Sequence, residues 1–412
     1  MDSIKIKKSK LKGILTVPPS KSLSHRAIIC ASLAEGTSTI TNLILSEDIK
    51  ATIEGMEKLG ADINISENEA TVKEQGIIEL NPLIDCKESG STLRFLIPIG
   101  IVIAEELSFT GSKKLFERPL DVYYDIFEKQ NINYELNEKY PLGIKGRLAP
   151  DTFKVSGNLS SQFISGLLFS LPLLNGDSKI IVTDSFQSKS YVDMTIDVME
   201  KFKCFIDKID ERTFLIRGNQ KYKSADFSVE GDYSQAAFYL VANELGNEIE
   251  LSGLNKNSLQ GDKEIINIIE KYKNNKNEIK IDASQIPDLV PIISVLASLK
   301  DNCTTHITSA ERLRIKESDR LKSISTELNK LGACVKETND GLIIHGKKSL
   351  MGNAVVNSWN DHRIAMSLAI AATKCENDII LENYKSVNKS YPSFWDDYKS
   401  LGGMALEFND RE

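Results

Sequence analysis

The stretch PPSKSLSHR, Pro18 to Arg26, follows a short alternating strand signal, Ile14-Leu15-Thr16-Val17, and runs straight into an apolar segment, Ala27 to Ala34, closed by Gly36. Two prolines end the strand, and Ser20 or Ser22 can cap the helix that follows. A helix start presents unpaired N–H groups and the positive end of the helix dipole. With Lys21, Ser22, Ser24, His25 and Arg26 in and around that first turn, the stretch describes an anion site with fixed donors.

Moving outward, the same design returns five times. Each copy has a strand, a polar-led apolar helix, a second strand, a polar turn, an amphipathic helix and a further strand, read from the 3.6 and 2.0 periodicities. The apolar helices are led by Glu88-Ser-Gly-Ser-Thr-Leu-Arg94, Ser160-Ser-Gln162, Gly231-Asp-Tyr-Ser-Gln235, Ile286-Pro-Asp288 and Trp359-Asn-Asp-His-Arg363. The polar turns are Ser46-Glu-Asp48, Glu117-Arg-Pro-Leu-Asp121, Ser188-Lys-Ser-Tyr191, Arg312 to Arg320, and Asn388-Lys-Ser-Tyr-Pro392. In the first copy the opening strand is expected at Gly13 to Val17, and in the fourth at Phe227-Ser228-Val229. The landmarks Ser24, Ser91, Ser161, Ser234, Asp288 and Asp361 lie 67, 70, 73, 54 and 73 residues apart. Six near-periodic copies predict a repeat architecture in which each unit buries its apolar helix against neighbours. Helices apolar almost all round must be enclosed, so the expected fold is α/β (α+β) with helices inside and sheets outside, the reverse of an ordinary α/β barrel. Six units divide into two lobes of three, with a boundary near Ala225 to Gly231.

Composition narrows the function classes. At 412 residues, two domains are expected. The net charge of -7 argues against a general nucleic-acid or membrane surface. Seven of the eleven arginines (Arg26, Arg94, Arg118, Arg312, Arg314, Arg320, Arg363) nevertheless fall in the motifs, where a planar fork grips a carboxylate or phosphate. Six scattered cysteines without a CxxC pair, and no secretory signal, predict reduced thiols in the cytoplasm. The four histidines show no metal-ligand spacing. The longest apolar run, Phe95 to Ala104, is too short to span a bilayer.

The polar positions of the six copies supply cations and small hydroxyls with a few carboxylates, a set that suits two small, heavily anionic ligands. Asp288 and Glu317 are the acid–base candidates. Taken singly, Asp288 reads as a cap for a helix from Leu289, and Glu317 and Asp319 as solvated helix-start charges. Ser160 and Ser161 read as caps, Tyr191 as packing, and His25 and His362 as hydrogen-bonded structural residues.

Together and in this order, PPSKSLSHR, SGSTLR, ERPLD, SSQF, SKSYVD, IPDLVP, RIKESDR, WNDHRIAM and NKSYP resemble the 5-enolpyruvylshikimate-3-phosphate (EPSP) synthase family. The resemblance spans essentially the whole chain. It implies an inverse α/β barrel of two domains, each of three βαβαββ repeats, with the active site in the cleft between them. Residues 1–19 and 231–412 would form a discontinuous domain one, and 20–230 domain two. The implied reaction transfers the enolpyruvyl group of phosphoenolpyruvate to the 5-hydroxyl of shikimate 3-phosphate, releasing phosphate, on the way to chorismate and the aromatic amino acids. No metal or organic cofactor is implied, and the expected state is a monomer.

By motif position, Lys21, Ser22, Arg26, Ser160, Ser161, Gln162, Ser188, Tyr191, Asp288 and Lys316 would bind shikimate 3-phosphate. Lys21, Gly90, Arg118, Gln162, Arg320, Arg363 and Lys389 would surround phosphoenolpyruvate, whose site glyphosate occupies in this family. Asp288, Glu317 and Lys21 would move protons. Pro19, His25 and Arg312 depart from the commonest family pattern, Arg312 standing where an Asn often binds the shikimate phosphate. The related UDP-N-acetylglucosamine enolpyruvyl transferases carry a loop cysteine, and Gly111 to Pro119 contains none.

Overall fold

The computed structural model describes residues 2–73, 76, 79–137, 141–274 and 277–408. The chain forms two compact units: unit one, Met1–Pro18 with Gly231–Glu412, and unit two, Pro19–Glu230. Met1 and 409–412, the outer limits of the expected domain one, lie outside the described residues.

Unit two is built on three helices, α1 (Lys21–Ser32), α2 (Gly90–Ile103) and α3 (Ser161–Ser170). Each begins at a serine whose hydroxyl accepts a first-turn N–H: Ser20 from Leu23, Ser89 from Thr92 and Ser160 from Gln162. From Leu23 to Ser32, α1 is buried at every position, and so is α2 from Thr92 to Ile101. Three four-stranded sheets accompany them. In the third, Thr152–Ser156 runs parallel to Ser178–Thr183, which pairs antiparallel with Thr213–Ile216, itself paired with Asp207–Lys208. The parallel pair needs a crossover, and α3 supplies it. Along Ser178–Thr183, Ile180 and Val182 are buried while Lys179 is exposed, so one face of the sheet meets apolar core and the other meets water.

Unit one repeats the plan with α4 (Tyr233–Glu244), α5 (Val290–Ser298) and α6 (His362–Ala372), the last buried along its whole length. Asp232 and Asp361 cap α4 and α6 through their carboxylates. The expected Asp288 cap is not formed. Asp288 lies in a 3-10 turn, Pro287–Leu289, and α5 starts at Val290 with no side-chain cap. Two four-stranded sheets belong to this unit. One of them takes its inner strand from the N-terminus, where Ser3–Lys7 lies between Ile379–Glu382 and Met404–Phe408.

Two strand assignments are corrected. Lys12–Thr16 was expected to open the first repeat; it pairs in parallel with Glu248–Ser252, Leu15 opposite Leu251, and so opens the fourth. Phe227–Ser228 was expected to open the fourth; it pairs with Thr37–Thr41, Phe227 opposite Ile40, and opens the first. Alternation reveals that a strand exists but not which distant strand it joins. Among the described residues the fourth repeat also lacks its last two strands: the chain passes from Glu248–Ser252 through the helix Ile265–Asn274 to Glu278–Asp282. That accounts for its short spacing. The result is a mixed α/β fold with five four-stranded sheets among the described residues.

Candidate active site

The helix starts and polar turns gather within each unit. In unit two, Lys21 at the start of α1 forms an ion pair of 2.8 Å with Asp48, which lies in the first turn of Glu47–Lys58. Thr92, in the first turn of α2, donates to the Asp48 carbonyl at 3.3 Å and bonds Thr52 at 2.7 Å. Three helix starts are thereby fastened together.

Arg26, buried one turn into α1, donates through Nε to Thr195, and through its two terminal nitrogens to the carbonyls of Ser22 and Tyr191, at 2.6 to 2.9 Å. Its guanidinium lies over Phe95 and Tyr191 at 5.4 and 5.9 Å. All three bonding partners are neutral, and burial pulls its pKa down to about 10. Thr195 Oγ1 also lies 2.8 Å from Ser165 Oγ, so Arg26 joins α1, α3 and the helix Lys189–Lys201. That helix starts at Ser188, buried and held at φ 52°, a costly conformation for a residue with a side chain.

The second focus of unit two is Gly90. A Cβ there would lie 2.9 Å from Arg94 Nη1, 3.1 Å from Arg118 Nη1 and 3.7 Å from Gln162 Oε1. Two guanidinium forks and an amide therefore converge on a helix start that only glycine leaves open. Arg94 donates to Gln162 Oε1 at 3.3 Å and to the Pro119 carbonyl at 3.1 Å. Gln162 Nε2 donates to Ser91 at 2.9 Å, and Ser160 and Ser161 directly precede Gln162. Ser22 and Tyr191 are half-buried beside Arg26.

Unit one gathers the carboxylates. Arg320, almost fully buried, gives each nitrogen to a different acid: Nε to Asp361 at 2.8 Å, Nη1 to Asp288 at 2.7 Å and Nη2 to Glu317 at 2.7 Å. Burial alone would lower its pKa, but the three carboxylates raise it well above the ordinary value. The second Asp288 oxygen accepts from Arg363 at 2.9 Å. Burial pushes the Asp288 pKa up, yet Arg363, Arg320 and Lys316 together outweigh it and hold this acid well below the carboxylate range. Lys316, pulled down to about 8 chiefly by burial, lies in the field of Arg312, itself buried and bonded to the Ser284 carbonyl at 2.6 Å. Asp288 and Glu317 are thus neither cap nor solvated charge.

The loop ahead of α6 is tightly specified. Trp359 and Asn360 both have φ 55°. Buried Glu327 accepts from Trp359 Nε1 at 2.8 Å and the Asn357 N–H at 3.0 Å, while Lys389 donates to the Asn360 carbonyl at 2.7 Å. These bonds aim Asp361, His362 and Arg363 into the cluster. His362 is buried there, and His25 bonds Thr52 at 2.8 Å. Burial, reinforced by Lys21 and Arg26, lowers the His25 pKa, so this imidazole stays neutral.

Each unit therefore collects its own share of the expected residues. Asp48, Thr195 and Asp262 were missed. Asp48 was legible as the turn of the first repeat, Thr195 carries no local signal, and Asp262 occupies the one turn for which no motif stood out. Among the described residues no group of His, Cys, Asp and Glu has the geometry to hold a metal ion. No helix there is long and apolar enough to cross a membrane.

Capped apolar helices, each followed by a cationic or acidic turn, define an α/β repeat protein that handles small anions. Within that class the chain belongs to the EPSP synthase family, described as EPSP synthase (3-phosphoshikimate 1-carboxyvinyltransferase), whose model matches residues 6–398. Similar chains include the 3-phosphoshikimate 1-carboxyvinyltransferase of Clostridium novyi (strain NT), 51% identical with 99% of each chain covered. The enzyme of the same name from Clostridium perfringens (strain 13 / Type A) is 51% identical, covering 99% of this chain and 100% of that one. Among solved structures, EPSP synthase from Acinetobacter baumannii matches with a TM-score of 0.82 over 99% of this chain and 100% of that one. Its identity is 22%, so the likeness is one of fold.

Proposed function

We propose that the chain transfers the enolpyruvyl group of phosphoenolpyruvate to the 5-hydroxyl of shikimate 3-phosphate and releases phosphate, acting as a monomer in the cytoplasm. The observation that carries this reading is Asp288 lodged between Arg320 and Arg363, a proton acceptor and two anion-gripping forks in one place. The clusters of the two units act on one pair of substrates in the cleft between the domains. Lys21, Ser22, Arg26, Ser160, Ser161, Gln162, Ser188, Tyr191, Asp288 and Lys316 hold shikimate 3-phosphate. Lys21, Gly90, Arg118, Gln162, Arg320, Arg363 and Lys389 hold phosphoenolpyruvate. All-round burial of α1, α2 and α6 beside one-faced strands supports the inverse α/β barrel.

Asp288, bonded to two guanidiniums, is ionised but a weak base. Phosphoenolpyruvate brings a carboxylate and a phosphate that draw Arg320 and Arg363 toward themselves, and Asp288 recovers basicity as that pairing loosens. It then takes the 5-hydroxyl proton as the oxygen bonds to C2 of phosphoenolpyruvate. Glu317 or Lys21 delivers a proton to the methylene carbon, giving a tetrahedral intermediate. Loss of a proton from the new methyl group, with cleavage of the C–O bond to phosphate, yields the enolpyruvyl ether. The test is a phosphate-release assay with phosphoenolpyruvate and either shikimate 3-phosphate or UDP-N-acetylglucosamine. Turnover with the first acceptor alone is expected; turnover with the second alone, or with neither, would sink the reading.

A further inference from the structure

Five of the six turns ahead of outer helices contribute to the clusters: those of Asp48, Arg118, Ser188 with Tyr191, Lys316 to Arg320, and Lys389. The sixth belongs to the fourth repeat. There Gln260-Gly261-Asp262 leads into the helix Ile265–Asn274, and the 3-10 turn Gly261–Glu264 packs against α4. Gln260 pins the turn at both ends of its amide. Its Oε1 accepts the Tyr233 N–H at 2.9 Å, and its Nε2 donates to the Gly231 carbonyl at 2.9 Å.

So fixed, Asp262 is only 4% exposed, and its Oδ1 is closed to solvent without a hydrogen-bond partner among the described residues. Four charged groups face it. Asp288 comes from the turn before α5, Arg363 from the first turn of α6, Asp232 from the cap of α4, and Arg320 from the start of Arg320–Lys330. The other ionisable groups nearby have partners of their own. Tyr233 donates its hydroxyl to the Asn255 carbonyl, Lys263 donates to the Lys256 carbonyl, and Glu264 accepts from Asn267. Burial first, then Asp288, pushes the Asp262 pKa up to about 8, with Arg363 opposing.

An ionised carboxylate here would repel any anion held by Arg363, whereas a protonated one is a hydrogen-bond donor. We propose that Asp262 is a further substrate-binding residue, a neutral carboxylic acid that donates its O–H to the phosphoenolpyruvate anion gripped by Arg363. The proposal rests on the reading of Arg363 as a phosphoenolpyruvate ligand. Its consequence is a coupling between binding and one proton. Above the midpoint of this acid, each pH unit weakens phosphoenolpyruvate binding about tenfold.

The experiment is the KM for phosphoenolpyruvate at saturating shikimate 3-phosphate, from pH about 7 to about 9.5, in wild type and Asp262→Asn. Asn keeps an N–H donor and cannot ionise. Wild-type KM is expected to rise about tenfold per unit above pH about 8, while Asp262→Asn stays within about threefold of wild type at pH about 7 and loses the rise. Lys316 titrates over the same span, but it was placed on shikimate 3-phosphate, so its effect falls on the KM of that substrate in both proteins. A parallel rise in Asp262→Asn overturns the role of Asp262 while leaving the transferase reading intact. A flat wild-type profile overturns it as well, and needs no variant to fold. A wild-type protein that releases no phosphate at any pH overturns the transferase reading and this inference together.

Discussion

At Asp288 two guanidiniums share one carboxylate, and that competition decides what a substitution should do. Asp288→Asn removes the proton acceptor and also releases Arg320 and Arg363 from a rival anion. The expected result is a turnover number lower by about 10²- to 10⁴-fold, with a phosphoenolpyruvate KM unchanged or lower; steady-state kinetics would show it. A near-normal turnover would remove Asp288 from the chemistry. For Asp262 the pKa is raised in the folded state, so the folded protein binds more protons than the unfolded chain between pH about 4 and about 8. Stability therefore falls as pH rises through that window, by at most about 1 kcal/mol per unit. Asp262→Asn should lose this slope, and thermal unfolding at pH 5 and pH 8 without ligands is the check. Neither environment was legible locally. Asp288 looked like a cap because polar residues before apolar runs commonly are, and its partners lie 32 and 75 residues away. Asp262 sits in a turn with no basic or hydroxyl side chain, so the pattern of cations that marked the other turns passed over it.

At the scale of elements, α2 shows how a rule broken in sequence is repaired in space. Pro98 lacks the N–H that would bond the Arg94 carbonyl four residues back. The Tyr123 hydroxyl donates to that carbonyl instead, and burial raises its pKa far above the ordinary value. Gly166 of α3 packs on the same spot, where a Cβ would lie 2.4 Å from the Arg94 carbonyl oxygen and 3.1 Å from Pro98 Cγ. Tyr123→Phe should therefore leave a buried carbonyl unsatisfied and cost about 1–3 kcal/mol, read as a lower denaturation midpoint; no change would mean the carbonyl finds another donor. Because the side chain of Arg94 reaches Gln162 and Pro119, the repair also steadies the Gly90 cluster. Helix positions and caps were legible because they depend on residues three or four apart. The partners of Lys12–Thr16 and Phe227–Ser228 were not, since pairing across more than 180 residues leaves no local trace.

At the scale of the whole molecule, six evenly spaced helix starts announced the repeat, and the one short interval marked a copy without its last two strands among the described residues. Family membership follows from the full-length match, and the catalytic account adds that cations from both units hold the same phosphoenolpyruvate. Arg118 belongs to unit two and Arg363 to unit one, which makes them the pair to compare. Arg→Lys at either position keeps the charge but removes the planar fork. With hydrogen bonds to charged groups worth about 1.5–3 kcal/mol, kcat/KM for phosphoenolpyruvate should fall about 10- to 100-fold in Arg118→Lys and again in Arg363→Lys. If either variant stays within about twofold of wild type, the two units do not share that substrate.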